Sequence, residues 1–248
     1  MRLLIVLFVV MVISCDTENT IDCLQRTGSK VSKELVVSDF KKILVNPNIE
    51  VVIKPGVEPS VLIETGDNLL NEISAVVEGD QLILTNNNDC NLVRAFNQTK
   101  ITVTAVNISE IRSATQFDII SEGVLRFANL DLLSEDFFEN TEGNITGQFI
   151  LNIENNQTTI TGNNIGSFFI KGTTNTLKIN IASGSGRVDA SDFVAEDVVI
   201  FHRGSNKLFI NPQKLVTGAI LSTGDVIALN RPEVIKVSTP FKGRLIFR

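Results

Sequence analysis

The sequence predicts an all-β protein, and three observations carry that reading. Nearly every apolar run is short and rich in β-branched residues, turn residues recur between the runs, and beyond residue 14 no window of a dozen residues keeps the 3.6-residue period of an amphipathic helix. In order along the chain, "IEVVIK" at 49–54 and "SVLIET" at 60–65 read as strands, with "PGVEP" at 55–59 turning the chain between them. "QLILT" at 81–85 follows the turn "EGDQ" at 78–81, and "KITVTA" at 100–105 is the next strand. Farther on, "LKINIA" at 177–182, "VVIFH" at 198–202 and "KLFIN" at 207–211 repeat the pattern, with turns at "TGNN" (161–164), "SGSG" (183–186) and "STGD" (222–225).

Internal similarity bears on how these strands are arranged. "TNTLKIN" at 174–180 is echoed by "SNKLFIN" at 205–211, an offset of 31 residues, each copy following a glycine, Gly172 or Gly204. Such repeats suit a solenoid in which alternate Leu and Ile side chains stack between successive passes and asparagines fall at the turns. A β-sandwich is the alternative.

The first residues address export. Arg2 is followed by residues 3–13 without a charged or polar group, then Ser14 and Cys15. A membrane-spanning helix needs ~20 apolar residues, so this stretch is a signal-peptide core, not a span. The junction Val12-Ile13-Ser14-Cys15 looks like a bacterial lipobox, and the polar residues 16–20 read as a solvated tether. The expected organisation is a lipoprotein signal peptide at 1–14, a lipidated tether at 15–22 and one β domain at 23–248. Acyl chains on Cys15, at ~0.8 kcal/mol per buried methylene, would hold the protein on a membrane.

The chain has 22 Lys and Arg against 28 Asp and Glu, a net charge of −6 that becomes −7 without Arg2. Such a surface does not recruit phosphate backbones, so nucleic acid is excluded as an expected partner. With Cys15 lipidated, Cys23 and Cys90 are the candidates for a disulfide, which an oxidising compartment favours. Closing so long a loop would add ~4 kcal/mol in the chain-entropy model; two unpaired thiols are the alternative.

Several short segments resemble the bacterial head GIN domain family, described as "putative auto-transporter adhesins". "FKKILVNPNIEVVIKPG" at 40–56 is similar to the family's first hairpin, "DNLLNEI" at 67–73 with "NNNDCNLVR" at 86–94 to the next stretch, and "STGDVIALNRPEV" at 222–234 to its last glycine-rich turn and Pro-containing exit. Two aromatics of the family pattern are absent, one of them replaced by Leu92. The resemblance implies a single right-handed β-helix-like solenoid of short strands and a Cys23 to Cys90 pairing, and it carries over no catalytic residue.

Four segments invite a chemical reading. His202 in "FHRGSN" is the only histidine, and as a general base it would need an acid partner and a nucleophile; it reads better as a polar side chain on the outer face of a strand whose core residues are Ile200 and Phe201. "SGSGRVDAS" at 183–191 lacks the following helix of a phosphate-binding loop and reads as a tight turn needing φ > 0. "NNND" at 86–89 lacks the alternating acids and distal glutamate of a calcium loop. Asp131, Glu135, Asp136 and Glu139 offer the paired carboxylates that glycoside cleavage uses, but a clustered acidic stretch is usually a solvated face. With fifteen Phe and no Trp or Tyr, a broad sugar-stacking cleft is disfavoured.

The expectation is therefore a non-enzymatic envelope lipoprotein of a Gram-negative bacterium, in the outer membrane, without metal or cofactor. Its partners are the membrane, through Cys15, and an unidentified surface protein or glycan in an adhesion role. A pectinase-like polysaccharide lyase or hydrolase on a β-helix scaffold, and an architectural envelope protein, are the alternatives.

Overall fold

The computed structural model describes residues 22–88, 90–95, 98–135 and 145–248. The expected signal peptide, Cys15 and most of the expected tether lie outside them, as do Asp136 and Glu139.

Alternation of apolar and polar residues sets the strands. β1 (Lys30–Val36) is followed by β2 (Lys42–Val45) and β3 (Glu50–Pro55), with Asn48 left-handed at φ 67° in the corner between these two. β4 (Ser60–Gly66), β5 (Ile73–Glu78), β6 (Gln81–Asn86), β7 (Lys100–Ala105), β8 (Glu110–Ser113), β9 (Ile119–Ser121) and β10 (Asn129–Ser134) complete the first half. The second half holds β11 (Gln148–Gly162), β12 (Ser167–Ile181), β13 (Val188–His202), β14 (Leu208–Ile220), β15 (Val226–Ala228), β16 (Val234–Ser238) and β17 (Leu245–Phe247). β11, β12 and β13 are each fifteen residues long, so the expectation of short strands fails there. The ladder continues through polar corners because their side chains bond to one another across strands. Asn175 donates to the Asn156 side chain at 2.7 Å, and the Thr174 hydroxyl to the Asn155 side chain at 2.8 Å.

Among the described residues, the strands form one seventeen-stranded sheet, so two separate packed sheets do not describe this fold. The sheet is open and curled into a half-barrel. It has two rows. The first contains β6, β2, β8, β10 and the second halves of β11 to β14, ending on β16; the second contains β7, β3, β9 and the first halves of β11 to β14, ending on β15 and β17. All these pairings are parallel. Only β5 on β6, β4 on β7 and β1 on β4 are antiparallel, and they cover one end of both rows.

The register corrects the sequence repeat. Ile160 pairs with Ile179 and Ile179 with Ile200, offsets of 19 and 21 residues, not 31. "TNTLKIN" runs into the second half of β12, whereas "SNKLFIN" leads into the first half of β14, in the other row.

The core is built from inward-facing ladders. Ile43, Ile111, Leu132, Ile160, Ile179 and Ile200 stack strand on strand in the first row, all buried. In the second row Phe149 and Phe168 stack face to face, with ring centroids 5.0 Å apart, and Val188, Leu208 and Val226 continue the line. Near the covered end, Cys23 and Cys90 form a disulfide with S–S 2.04 Å.

Candidate binding surface

Parity along a strand decides what faces out. With Phe149 and Phe168 inside, their neighbours Ile150 and Phe169 point outward, and the register lines them up as Ile120, Ile150, Phe169, Asp189 and Phe209 across five strands, while Ile227 on the sixth is covered and only 2% exposed. An apolar stripe therefore crosses the outer surface of the second row. Over its first half lies a groove of about 520 Å³, with Ile120, Ile150 and Phe169 on its floor and Lys171, Asp189 and Asp192 among its polar lining. Ile150 keeps 38% of its surface exposed, a large fraction for an isoleucine inside a sheet.

A backbone irregularity raises one wall. From Asp189 to Val194, β13 takes five steps while β14 takes two, from Phe209 to Asn211. The surplus is a bulge that sends Phe193 into the core and leaves Asp192 exposed at the rim. Gly172, opposite the bulge, has φ +111°, and a Cβ there would lie 2.1 Å from the Ile153 carbonyl oxygen, so only glycine fits.

Charge is arranged on the same stripe. The Arg187 guanidinium lies 5.7 Å from the Phe169 ring centroid and 5.1 Å from that of Phe209, and pairs with Asp189 at 2.6 Å. The Ser191 hydroxyl also donates to Asp189 at 2.8 Å. Burial opposes ionisation of Asp189, but the bonds from Ser191 and Arg187 outweigh it and hold the carboxyl below its usual range.

The residues singled out from sequence fall mostly outside this groove. "SGSGRVDAS" contains a left-handed turn as expected, at Gly184 with φ +83°, but its Arg187, Asp189 and Ser191 also furnish the charged centre of the stripe, a role sequence reasoning missed. The available signal was a run of outward residues, Phe169, Asp189 and Phe209, spaced by about twenty positions. Glu135, one of the two described acids of the 131–139 stretch, pairs with Arg112 at 3.3 Å. Asn86 and Asn88 are engaged in structure: the Asn86 amide donates to the Asn48 carbonyl at 2.8 Å and that of Asn88 to the Leu69 carbonyl at 3.1 Å. Among the described residues no three of His, Cys, Asp and Glu group as metal ligands would.

His202 is a correction. It is fully buried, while Phe201, taken above as a core residue, points out and is 40% exposed. Val198, Ile200 and His202 occupy successive inward positions, so parity overrides hydrophobicity. Nε2 lies 3.0 Å from the Asn206 carbonyl oxygen, which can only accept, so Nε2 carries the proton. Room for the ring depends on Gly224, where a Cβ would sit 2.4 Å from Nε2. Burial lowers the pKa of His202 from 6.5, against weaker opposing effects of the Asn206 carbonyl and Asp225. The unfolded chain then takes up this proton more readily than the folded one, so the stability is complete above pH 6.5 and is lost progressively below it, as pH falls toward and through the lower pKa of the folded state. The urea midpoint is expected to drop on going below pH 6.5, and His202→Leu to remove this part of the dependence.

Residues 39–232 match the sequence profile of the family described as "Putative auto-transporter adhesin, head GIN domain". The chain belongs to the head GIN domain family. Solved structures share the fold at low identity. A Bacteroides fragilis protein described as a putative adhesin superposes with a TM-score of 0.77 at 17% identity, over 90% of this chain and 99% of that one. A Parabacteroides distasonis protein described as a putative lipid binding protein gives a TM-score of 0.61 at 14% identity, over 89% and 98% of the two chains. A Parabacteroides merdae protein described as a putative adhesin gives 0.57 at 15% identity, over 90% and 98%. No curated protein matches the sequence significantly. At such identities the likeness is one of fold alone.

Proposed function

We propose that this head GIN protein is a non-enzymatic lipoprotein of the cell envelope, anchored through Cys15, that binds an amphipathic ligand in the groove over Ile120, Ile150 and Phe169. The groove carries the reading. Its volume of about 520 Å³ suits a small-molecule or acyl-chain ligand, its floor is apolar, and Lys171 and Asp192 in its lining supply charges of both signs for a polar headgroup. The family description supports an adhesive or binding role in the envelope, and the fold is shared with a protein described as lipid binding.

The scaffold is read as a right-handed solenoid. Fifteen residues of strand extend about 50 Å, yet the four residues between β11 and β12 bridge only about 15 Å. Each strand must therefore curve back toward its own start before the next pass begins, as a solenoid does. The right hand is the one favoured for parallel crossovers.

The Cys15→Ala chain, which lacks the proposed anchor, is expected to bind a fluorescent long-chain fatty acid, and Ile150→Glu on that background to weaken binding by about tenfold or more, since a buried charge must be desolvated. Equal binding by both chains would remove the groove from the reading. Metabolic labelling of cells with an alkyne fatty acid tests the anchor: the wild-type chain should take up label and Cys15→Ala should not, and equal labelling of the two chains, or of neither, would remove Cys15.

A further inference from the structure

The two ends of the sheet are built differently. One is closed by the antiparallel strands β1, β4 and β5; the other stops at β16 and β17, each hydrogen-bonded along one side only among the described residues. The consequence is an opened core. Ile235 and Val237 continue the inward ladders of Val216 and Gly218, and Leu245 and Phe247 those of Val226 and Ala228. Val216, Val226 and Ala228 are buried, but Ile235 is 37% exposed, and Val237, Leu245 and Phe247 are only partly buried. Phe241, in the loop between β16 and β17, is 52% exposed.

This apolar end is also basic. Residues 229–248 hold Arg231, Lys236, Lys242, Arg244 and Arg248 against Glu233 alone, in a chain whose net charge is −6. Arg231 lies 4.7 Å from the Phe247 ring centroid and Lys242 5.8 Å from that of Phe241, so cations ring the exposed aromatics. Exposed apolar side chains framed by cations match the interface of an anionic bilayer, where rings enter the headgroup layer and basic groups meet lipid phosphates.

We infer that the β16–β17 end is a docking face for an anionic lipid surface. The inference uses neither the groove nor the lipid anchor.

The test exploits a sequence without Trp or Tyr. Phe241→Trp in the full Cys15→Ala chain supplies the single tryptophan, and its emission is followed with vesicles of phosphatidylcholine alone or mixed with phosphatidylglycerol. Any insertion of residues 3–13 adds equally to both. The expected result is a blue shift on the mixed vesicles, with partitioning reduced about 100-fold by Lys236→Gln, Lys242→Gln and Arg248→Gln together. Identical emission on the two vesicle types, or a shift insensitive to the triple substitution, would overturn the inference. So would a blue shift that grows with protein concentration without vesicles, because a second copy would then be covering the face. If the tryptophan variant does not fold, co-sedimentation of the Phe241 chain with the same vesicles makes the same comparison.

Discussion

Phe168→Ala is expected to lower the folding free energy by about 3–5 kcal/mol, the range for deleting a buried ring. Phe168 is fully buried and stacked on Phe149 with the ring planes 5° apart, so truncation removes the transfer energy of one ring and half of an aromatic pair. Relaxation cannot fill the hole cheaply. Its walls are Phe149 on one strand and Val188 on the next, and both are fixed by backbone ladders at strand spacing. Since domains of this size have about 5–15 kcal/mol in total, the substitution removes a large share of the stability. Urea unfolding measures it. Phe169→Ala, one residue on, is the control: Phe169 faces the groove, so its loss should cost well under half as much. Equal effects of the two would mean that the assignment of inside and outside is wrong.

That contrast shows what the sequence disclosed and what it hid. Alternation in "IEVVIK" and "LKINIA" was legible because each strand has one buried face and β-branched residues repeat on it. The pairing was not legible. Inward positions ask only for a side chain of suitable bulk, so Thr158, Leu177, Val198 and Val216 stack in one ladder without sharing an identity a repeat search could use. The 31-residue echo arose from two strands with the same alternation in different rows.

The long strands escaped notice for a related reason. Corners such as Asn155 and Asn156 look like turns, but their amides bond to the next strand and keep the ladder intact. For His202 the two signals conflict: its polarity suggests an outer position, and its parity with Val198 and Ile200 puts it inside. The outer stripe was least legible of all, since Phe169 and Phe209 are ordinary core residues in sequence and become a surface only through their register with Asp189.

Removal of the disulfide by Cys23→Ser and Cys90→Ser is expected to lower stability by about 4 kcal/mol, because the bridge spans 67 residues and restrains the unfolded chain across that whole loop. The native contacts it supports are local. The Leu92 amide donates to the Cys23 carbonyl at 3.0 Å, Arg94 reaches the Gln25 carbonyl at 3.3 Å, and the Gln25 amide donates to the Asn68 carbonyl at 2.6 Å. All of these lie at the closed end, where, among the described residues, β1 pairs with no strand but β4. Loss of the bridge should therefore act in two stages under hydrogen exchange: β1 and the residues around Leu92 open first, while β11 to β14, which pair with one another over most of their length, keep their protection. The urea midpoint of the double serine variant, compared with the oxidised wild type, gives the total. An unchanged midpoint would mean that the closed end is held by the antiparallel strands alone. Exchange lost evenly across all strands would mean instead that the sheet unfolds as one cooperative unit, and that closing this end is a condition for forming the rest.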